Sequence, residues 1–123
     1  MSYQFRPGGL IVVNCRVATG TVAAVGRFAL DTGASRTMLA ARRADILGLT
    51  MMPGGRVITA SRVETARLAM VPEISALGIT RRDLEVIVMP LPASSGLDGL
   101  LGLDFLRDTR VTIDFRAGIL SIG

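Results

Sequence analysis

The residues with the clearest chemical promise are Asp31-Thr32-Gly33-Ala34-Ser35, which directly follow the apolar run Phe28-Ala29-Leu30. A carboxylate at the end of an apolar strand sits at the rim of a core, where loss of water bears on its charge. Gly33 permits a tight turn and the close approach of a ligand. Thr32 brings a hydroxyl able to tie down a neighbouring loop. General acid–base chemistry on water is the work such a carboxylate can do. The rest of the composition narrows the field. There is no His, which excludes Ser-His-Asp and Cys-His nucleophile systems and every His-containing metal site. There is no Lys, all 14 basic residues being Arg, so Schiff-base chemistry and the phosphate-loop lysine are excluded too. The one Cys, Cys15, can form neither an internal disulfide nor a Cys-based zinc site. Chemistry falls to carboxylates and hydroxyls, with no cofactor and no metal expected.

These residues need a frame to hold them. At 123 residues the chain is one domain. Leu10 to Val17 and Thr21 to Leu30 read as two strands of a hairpin around Ala18-Thr19-Gly20, and the second strand ends at Asp31. Thr37 to Leu39 reads as a short strand, and Ala40 to Leu47 as a helix capped by Gly48. Met51 to Gly55 reads as a loop. Arg56 to Ile58 and Val63 to Met70 form a second hairpin, and the β pattern continues to Leu77 before a turn at Gly78. Leu84 to Met89 is an apolar strand stopped by Pro90 and Pro92, Gly99 to Gly102 a short apolar piece, and Asp104 to Asp108 a helical turn or two. Val111 to Phe115 and Ile119 to Ile122 make a last hairpin. Closely spaced strands with one or two short helices predict a mainly β, barrel-like single domain over residues 1–123. Residues 1–9 form a polar, flexible lead-in.

A second stretch, Leu97-Asp98-Gly99-Leu100-Leu101-Gly102-Leu103-Asp104-Phe105-Leu106, places two apolar residues before a glycine and a short helix. Together with Asp31-Thr32-Gly33 it resembles the single-domain, retroviral-type (retropepsin-like) aspartic proteases, in which an apolar-apolar-Gly segment threads the Asp-Thr-Gly loop. The resemblance runs from Leu10 to Ile122 and takes in Ala44 to Leu49 and the late strand Ile113-Asp114-Phe115. It implies a closed β-barrel of the retropepsin-like type, aspartic endopeptidase activity and a symmetric homodimer. Hydrolysis by aspartates needs two carboxylates, one as base on water and one as acid. The sequence has one Asp-Thr-Gly; Asp108-Thr109-Arg110 has Arg where Gly is needed, and Asp98-Gly99 lacks the hydroxyl. The second carboxylate must come from Asp31 of a second copy, facing the first across a twofold axis. By the same resemblance Thr32 pairs across that axis, Gly33 receives the substrate backbone, and Ala34 and Ser35 lie against an extended peptide. The middle hairpin is the flap, with its tip at Thr59, Ala60, Ser61 and Arg62, although no glycine stands at that tip. Leu100 and Leu101, with Leu30 and Met38, either wall apolar subsites or pack in the core. Acid-active relatives carry a hydroxyl at the position of Ala34 that bonds the charged pair. Ala34 has none, so the expected pH optimum is nearer neutral than acid.

Other features have plainer readings. The net charge is +4, but the arginines are scattered and only 4% of residues are aromatic, which argues against a nucleic-acid surface. Arg-only basic usage with abundant Ala, Gly and Val is a codon signature of a GC-rich bacterial genome. Mean hydropathy is high at +0.50, yet no apolar run reaches a membrane span. The first nine residues lack the apolar core of a signal peptide, so a cytoplasmic protein is expected. The surplus hydrophobicity suits an oligomer interface. Cys15 reads as a small core residue, Asp98 and Asp104 as caps, and Asp114 as the partner of an arginine near a dimer interface. Two other readings compete with the enzyme: a catalytically silent dimeric peptide-binding module of the same fold, and a structural dimerisation domain with a vestigial groove.

Overall fold

The computed structural model describes residues 1–58 and 63–123. The described chain is mainly β. Strands β1 (Ser2–Gln4), β2 (Val12–Ala18), β3 (Ala23–Leu30) and β4 (Met38–Ala40) precede helix α1 (Ala41–Leu47). Strands β5 (Met51–Ile58), β6 (Val63–Ala76) and β7 (Ile79–Met89) follow, then a single 3-10 turn (Ala93–Ser95), β8 (Gly99–Leu101) and α2 (Leu103–Leu106). Strands β9 (Val111–Asp114) and β10 (Ile119–Ile122) complete the chain.

The hairpin ahead of Asp31 forms as its alternating pattern predicts. β2 and β3 pair antiparallel from Val12↔Ala29 to Ala18↔Ala23. Their turn is fixed by the Thr19 hydroxyl, which accepts the N–H groups of Thr21 and Val22. α1 buries Ala44 and Leu47 and stops at Gly48, whose left-handed φ of 67° lets its N–H reach back to the helix carbonyls. β6 and β7 join through a two-residue turn in which Leu77 and Gly78 both have positive φ, the geometry that matches hairpin twist.

The sheet order is β2-β3-β8-β4-β7-β6, with β6 pairing back onto β2 to close a barrel of six strands, and β5 hangs outside on β6. β8 runs parallel to β3 and antiparallel to β4, so it lies between the two strands that flank the Asp31 loop. Phe28, Leu39, Val86, Leu101, Phe105 and Leu120 are fully buried inside, each such side chain stabilising the fold by about 1.5–3 kcal/mol.

Three expectations change. Met51 to Gly55 is strand, not loop. Among the described strands β5 has a neighbour on one side only, and its register shifts between Pro53 and Arg56. A side chain on Gly54 would meet the Leu68 side chain at 2.9 Å. Proline and glycine are tolerated in strands at just such edges and bulges. The lead-in, read as flexible, contributes β1, which pairs with β10 from Ser2↔Ser121 to Gln4↔Ile119 and makes a second sheet, β1-β10-β9. Among the described residues Asp114 makes no ion pair with an arginine side chain. Its carboxylate accepts the N–H groups of Arg116 and Ala117 and so caps the turn between β9 and β10, an arrangement aspartate makes readily with its own backbone neighbours.

Candidate active site

Asp31 leaves the end of β3 with its N–H donated to Leu101 O at 2.9 Å, continuing the β3–β8 ladder by one rung. The chain then turns at once. Ala34 N–H closes onto Asp31 O at 3.2 Å, and Gly33 N–H donates to Asp31 Oδ1 at 3.0 Å. The carboxylate is half-buried, Thr32, Gly33 and Ser35 are exposed, and Ala34 is half-buried. Among the described residues Gly33 N–H is the donor to this carboxylate, and no arginine forms an ion pair with it. An acid group that is held in place yet not neutralised can exchange protons with a water beside it.

The loop is held from below by the apolar-apolar-Gly segment. Leu103 N–H donates to Ala34 O at 2.9 Å and Asp104 N–H to Ser35 O at 3.2 Å. Glycine is required at 102: a Cβ there would stand 2.6 Å from the Arg36 carbonyl carbon and 2.8 Å from Ala34 O, both backbone atoms. Gly99 is equally confined, between the Phe28 ring and Met38 O. The threading read from sequence is therefore a steric fact of two glycines.

The buried Thr37 lies just past the loop. Its N–H and its hydroxyl both donate to Asp104 Oδ1, at 2.9 and 2.7 Å, and Phe105 N–H adds a third bond to the same oxygen at 2.8 Å. Gly102 N–H donates to the Thr37 hydroxyl at 3.2 Å. Arg36, between Ser35 and Thr37, is paired with Glu85 of β7 at 2.7 Å. Arg81 of β7 grips the far end of α2 through Phe105 O and Arg107 O.

A second carboxylate sits at the opposite end of the β3–β8 ladder. Asp98 is 8% exposed. Its Oδ2 accepts Arg27 N–H at 2.9 Å, while Oδ1 accepts Arg43 Nε at 2.8 Å and Arg42 at 3.3 Å. Burial works against its charged form, but the Arg27 N–H and the Arg43 and Arg42 guanidinium groups outweigh burial and hold its carboxyl below the usual aspartate range. Arg42 also donates to Leu91 O and Leu97 O, tying the loop before β8 to α1.

The other sequence-derived positions separate. Leu101 is fully buried and belongs to the core, so of the two leucines only Leu100 is left partly open, beside half-buried Met38. Leu30 is buried. Thr59, Ala60, Ser61 and Arg62 lie outside the described residues. Cys15 is fully buried, and burial, opposed by a hydrogen bond with the Ser75 backbone, pushes its thiol up to about 12. Among the described residues no three His, Cys, Asp or Glu side chains cluster as a metal site. No helix among them is long and apolar enough to cross a membrane. Sequence reading gave Asp98 and Asp104 only the role of caps and Thr37 none beyond a strand. Their partners lie on distant segments, and the one local signal was polar residues flanking the apolar-apolar-Gly run.

No curated protein matches the chain significantly. Many solved structures share its fold. One is a retropepsin-like aspartic protease from Rickettsia conorii, with a TM-score of 0.73 and 21% identity over 98% of this chain and 86% of that one. Another is EIAV protease, solved with the inhibitor HBY-793, with a TM-score of 0.68 and 17% identity over 86% of this chain and 93% of that one. The fold is thus retropepsin-like. The family model described as aspartyl protease matches residues 13–105, which span β2, the Asp31 loop, β8 and most of α2. The chain belongs to the aspartyl protease family.

Proposed function

We propose that the protein is an aspartic endopeptidase that works as a homodimer, each subunit supplying one Asp31 to a shared pair. The observation that carries this reading is the half-buried Asp31 carboxylate, without an ion pair among the described residues, at the mouth of a loop held by residues 101–104. One carboxylate of the pair, ionised, takes a proton from water as the water attacks the scissile carbonyl; the other, protonated, gives its proton to the carbonyl oxygen. The tetrahedral gem-diol so formed collapses as its C–N bond breaks, the first carboxyl returning its proton to the departing amine, and no bond to the enzyme forms. The single Asp-Thr-Gly in the sequence makes the second copy a chemical requirement.

In this reading a second copy supplies the far wall of the site. Exposed Thr32 and Gly33 meet the twofold axis and the substrate backbone, with Ala34 and Ser35 alongside. An extended peptide lies in the resulting groove as an added strand, with half-open Leu100 and Met38 against its apolar side chains. With Ala34 offering no hydroxyl to the pair, the optimum is nearer neutral than acid. No metal or cofactor takes part, and a cytoplasmic setting belongs to the same reading.

The test is cleavage of a peptide library read by mass spectrometry, wild type beside Asp31→Ala, from acid to neutral pH. Cuts made by wild type and missing from the variant are expected. A folded wild-type dimer that cuts nothing at any pH would move the assignment to a silent peptide-binding module. A profile peaking below about pH 4, near the free aspartate value, would overturn the near-neutral optimum.

A further inference from the structure

We propose that Thr37 and Asp104 are positioning residues for the catalytic loop, coupling α2 to Asp31 through one buried hydroxyl; the proposal rests on the endopeptidase reading. Thr37 has no exposed surface. Its hydroxyl proton goes to Asp104 Oδ1, which leaves the oxygen's lone pairs facing Gly102 N–H. The branch at Cβ restricts the side chain's rotation, so the hydroxyl is aimed as well as bonded. Asp104 Oδ1 collects three donors from two chain segments, Thr37 N–H, Thr37 hydroxyl and Phe105 N–H.

The bond to Gly102 matters because that N–H is enclosed. A buried N–H without an acceptor is costly, and the Thr37 hydroxyl is the acceptor it has. Gly102 is also the residue against which the Arg36 and Ala34 backbones are packed without room for a methyl group. Any displacement of Gly102 is therefore passed to Ala34, and through the Ala34 N–H···O bond to Asp31 itself. Leu101 O, which receives Asp31 N–H, belongs to the same peptide group as the Gly102 N–H. A hydroxyl and a carboxylate that never touch substrate thus set where the reacting carboxylate stands.

Four variants of the full chain test this. Thr37→Val keeps shape and removes both hydrogen-bonding functions; Thr37→Ser keeps them. Asp104→Leu removes the acceptor; Asp104→Asn keeps an Oδ1. Valine and leucine are expected to lower kcat by at least ~30-fold with KM changed by less than about threefold, because misplacing a reacting group penalises the transition state more than binding. Serine and asparagine are expected to recover most of that loss. In parallel, amide hydrogen exchange at Gly102 and across residues 31–35 should quicken at least ~10-fold in the valine and leucine variants and stay unchanged in the β2–β3 hairpin. Exchange that quickens uniformly over the barrel, exchange unchanged at Gly102, or asparagine as impaired as leucine would overturn the proposal. Should wild type cut no peptide, the endopeptidase reading fails, and local exchange at Gly102 still decides whether the staple holds the loop.

Discussion

Asp31 and Asp98 stand at the two ends of one short parallel ladder, β3 against β8, and they are treated in opposite ways. Asp98 is nearly enclosed, met by a backbone N–H and two guanidinium groups, and its charge is fully answered. Asp31 receives one N–H, from Gly33 in its own turn, and keeps water on one side. The same residue type is a fastener at one end and, in the proposed mechanism, a reagent at the other. The difference lies in what surrounds each: a carboxylate with every lone pair satisfied has no reason to move a proton, while one left partly unsatisfied can.

The sharpest way to break the contrast is Asp31→Asn. It removes the proton exchange without altering shape, so hydrolysis should fall by at least ~1,000-fold, measured as kcat/KM, while the melting temperature moves little. Gly102→Val attacks the ladder at the Asp31 end. Its side chain meets the Arg36 and Ala34 backbones, neither of which can swing aside, and a cost of about 3 kcal/mol is expected in denaturant unfolding. Asp98→Asn attacks the other end. It leaves Arg42 and Arg43, each about a third exposed, without their counter-charge, and should cost about 2–3 kcal/mol, with activity per folded molecule preserved.

Acid sharpens the comparison further. The Asp98 carboxyl is lowered in the folded state, so its contribution to stability is present above the unfolded value and is lost as pH falls through the folded one. Wild type should lose stability below about pH 4, and Asp98→Asn should show a flatter acid limb. Loss of the same slope in both proteins would exclude Asp98 as its source. The smallest effect is at Cys15. With its thiol pushed up to about 12, it should resist alkylation in the native protein at pH 8 and react on unfolding.

What sequence could carry was local geometry and one long-range motif. The hairpin ending at Asp31 and the Gly48 cap were readable from residue types that few other environments require, and the threading by Leu100-Leu101-Gly102 from the resemblance to the retropepsin-like proteases. The strand at Met51 was hidden by Pro53 and Gly54, whose local meaning is a turn; only the knowledge that β5 lies at a sheet edge reverses it. β1 was hidden because three residues, Ser2 to Gln4, are too few to show a period, and their pairing with β10 is set by the far end of the chain. The duties of Thr37, Asp98 and Asp104 were hidden for the same reason. A hydrogen bond between distant segments leaves no trace in the spacing of either. Leu101 and Leu100 show the limit within the motif itself: alternation along β8 sends one inward and leaves the other half-open, and the sequence does not say which.

The parallel pairing of β3 with β8 also sets an order of events at the ribosome. A chain that has emerged as far as Met89 already holds β2, β3, β6 and β7, whose antiparallel partners lie near in sequence or already outside. It does not yet hold Leu101, Gly102 or Asp104, so Asp31 has neither its rung nor the staple beneath its loop. Contacts between distant segments form late and are the slow part of folding. The Asp31 loop accordingly gains its support only once β8 and α2 have emerged, and the β1-β10-β9 sheet closes later still.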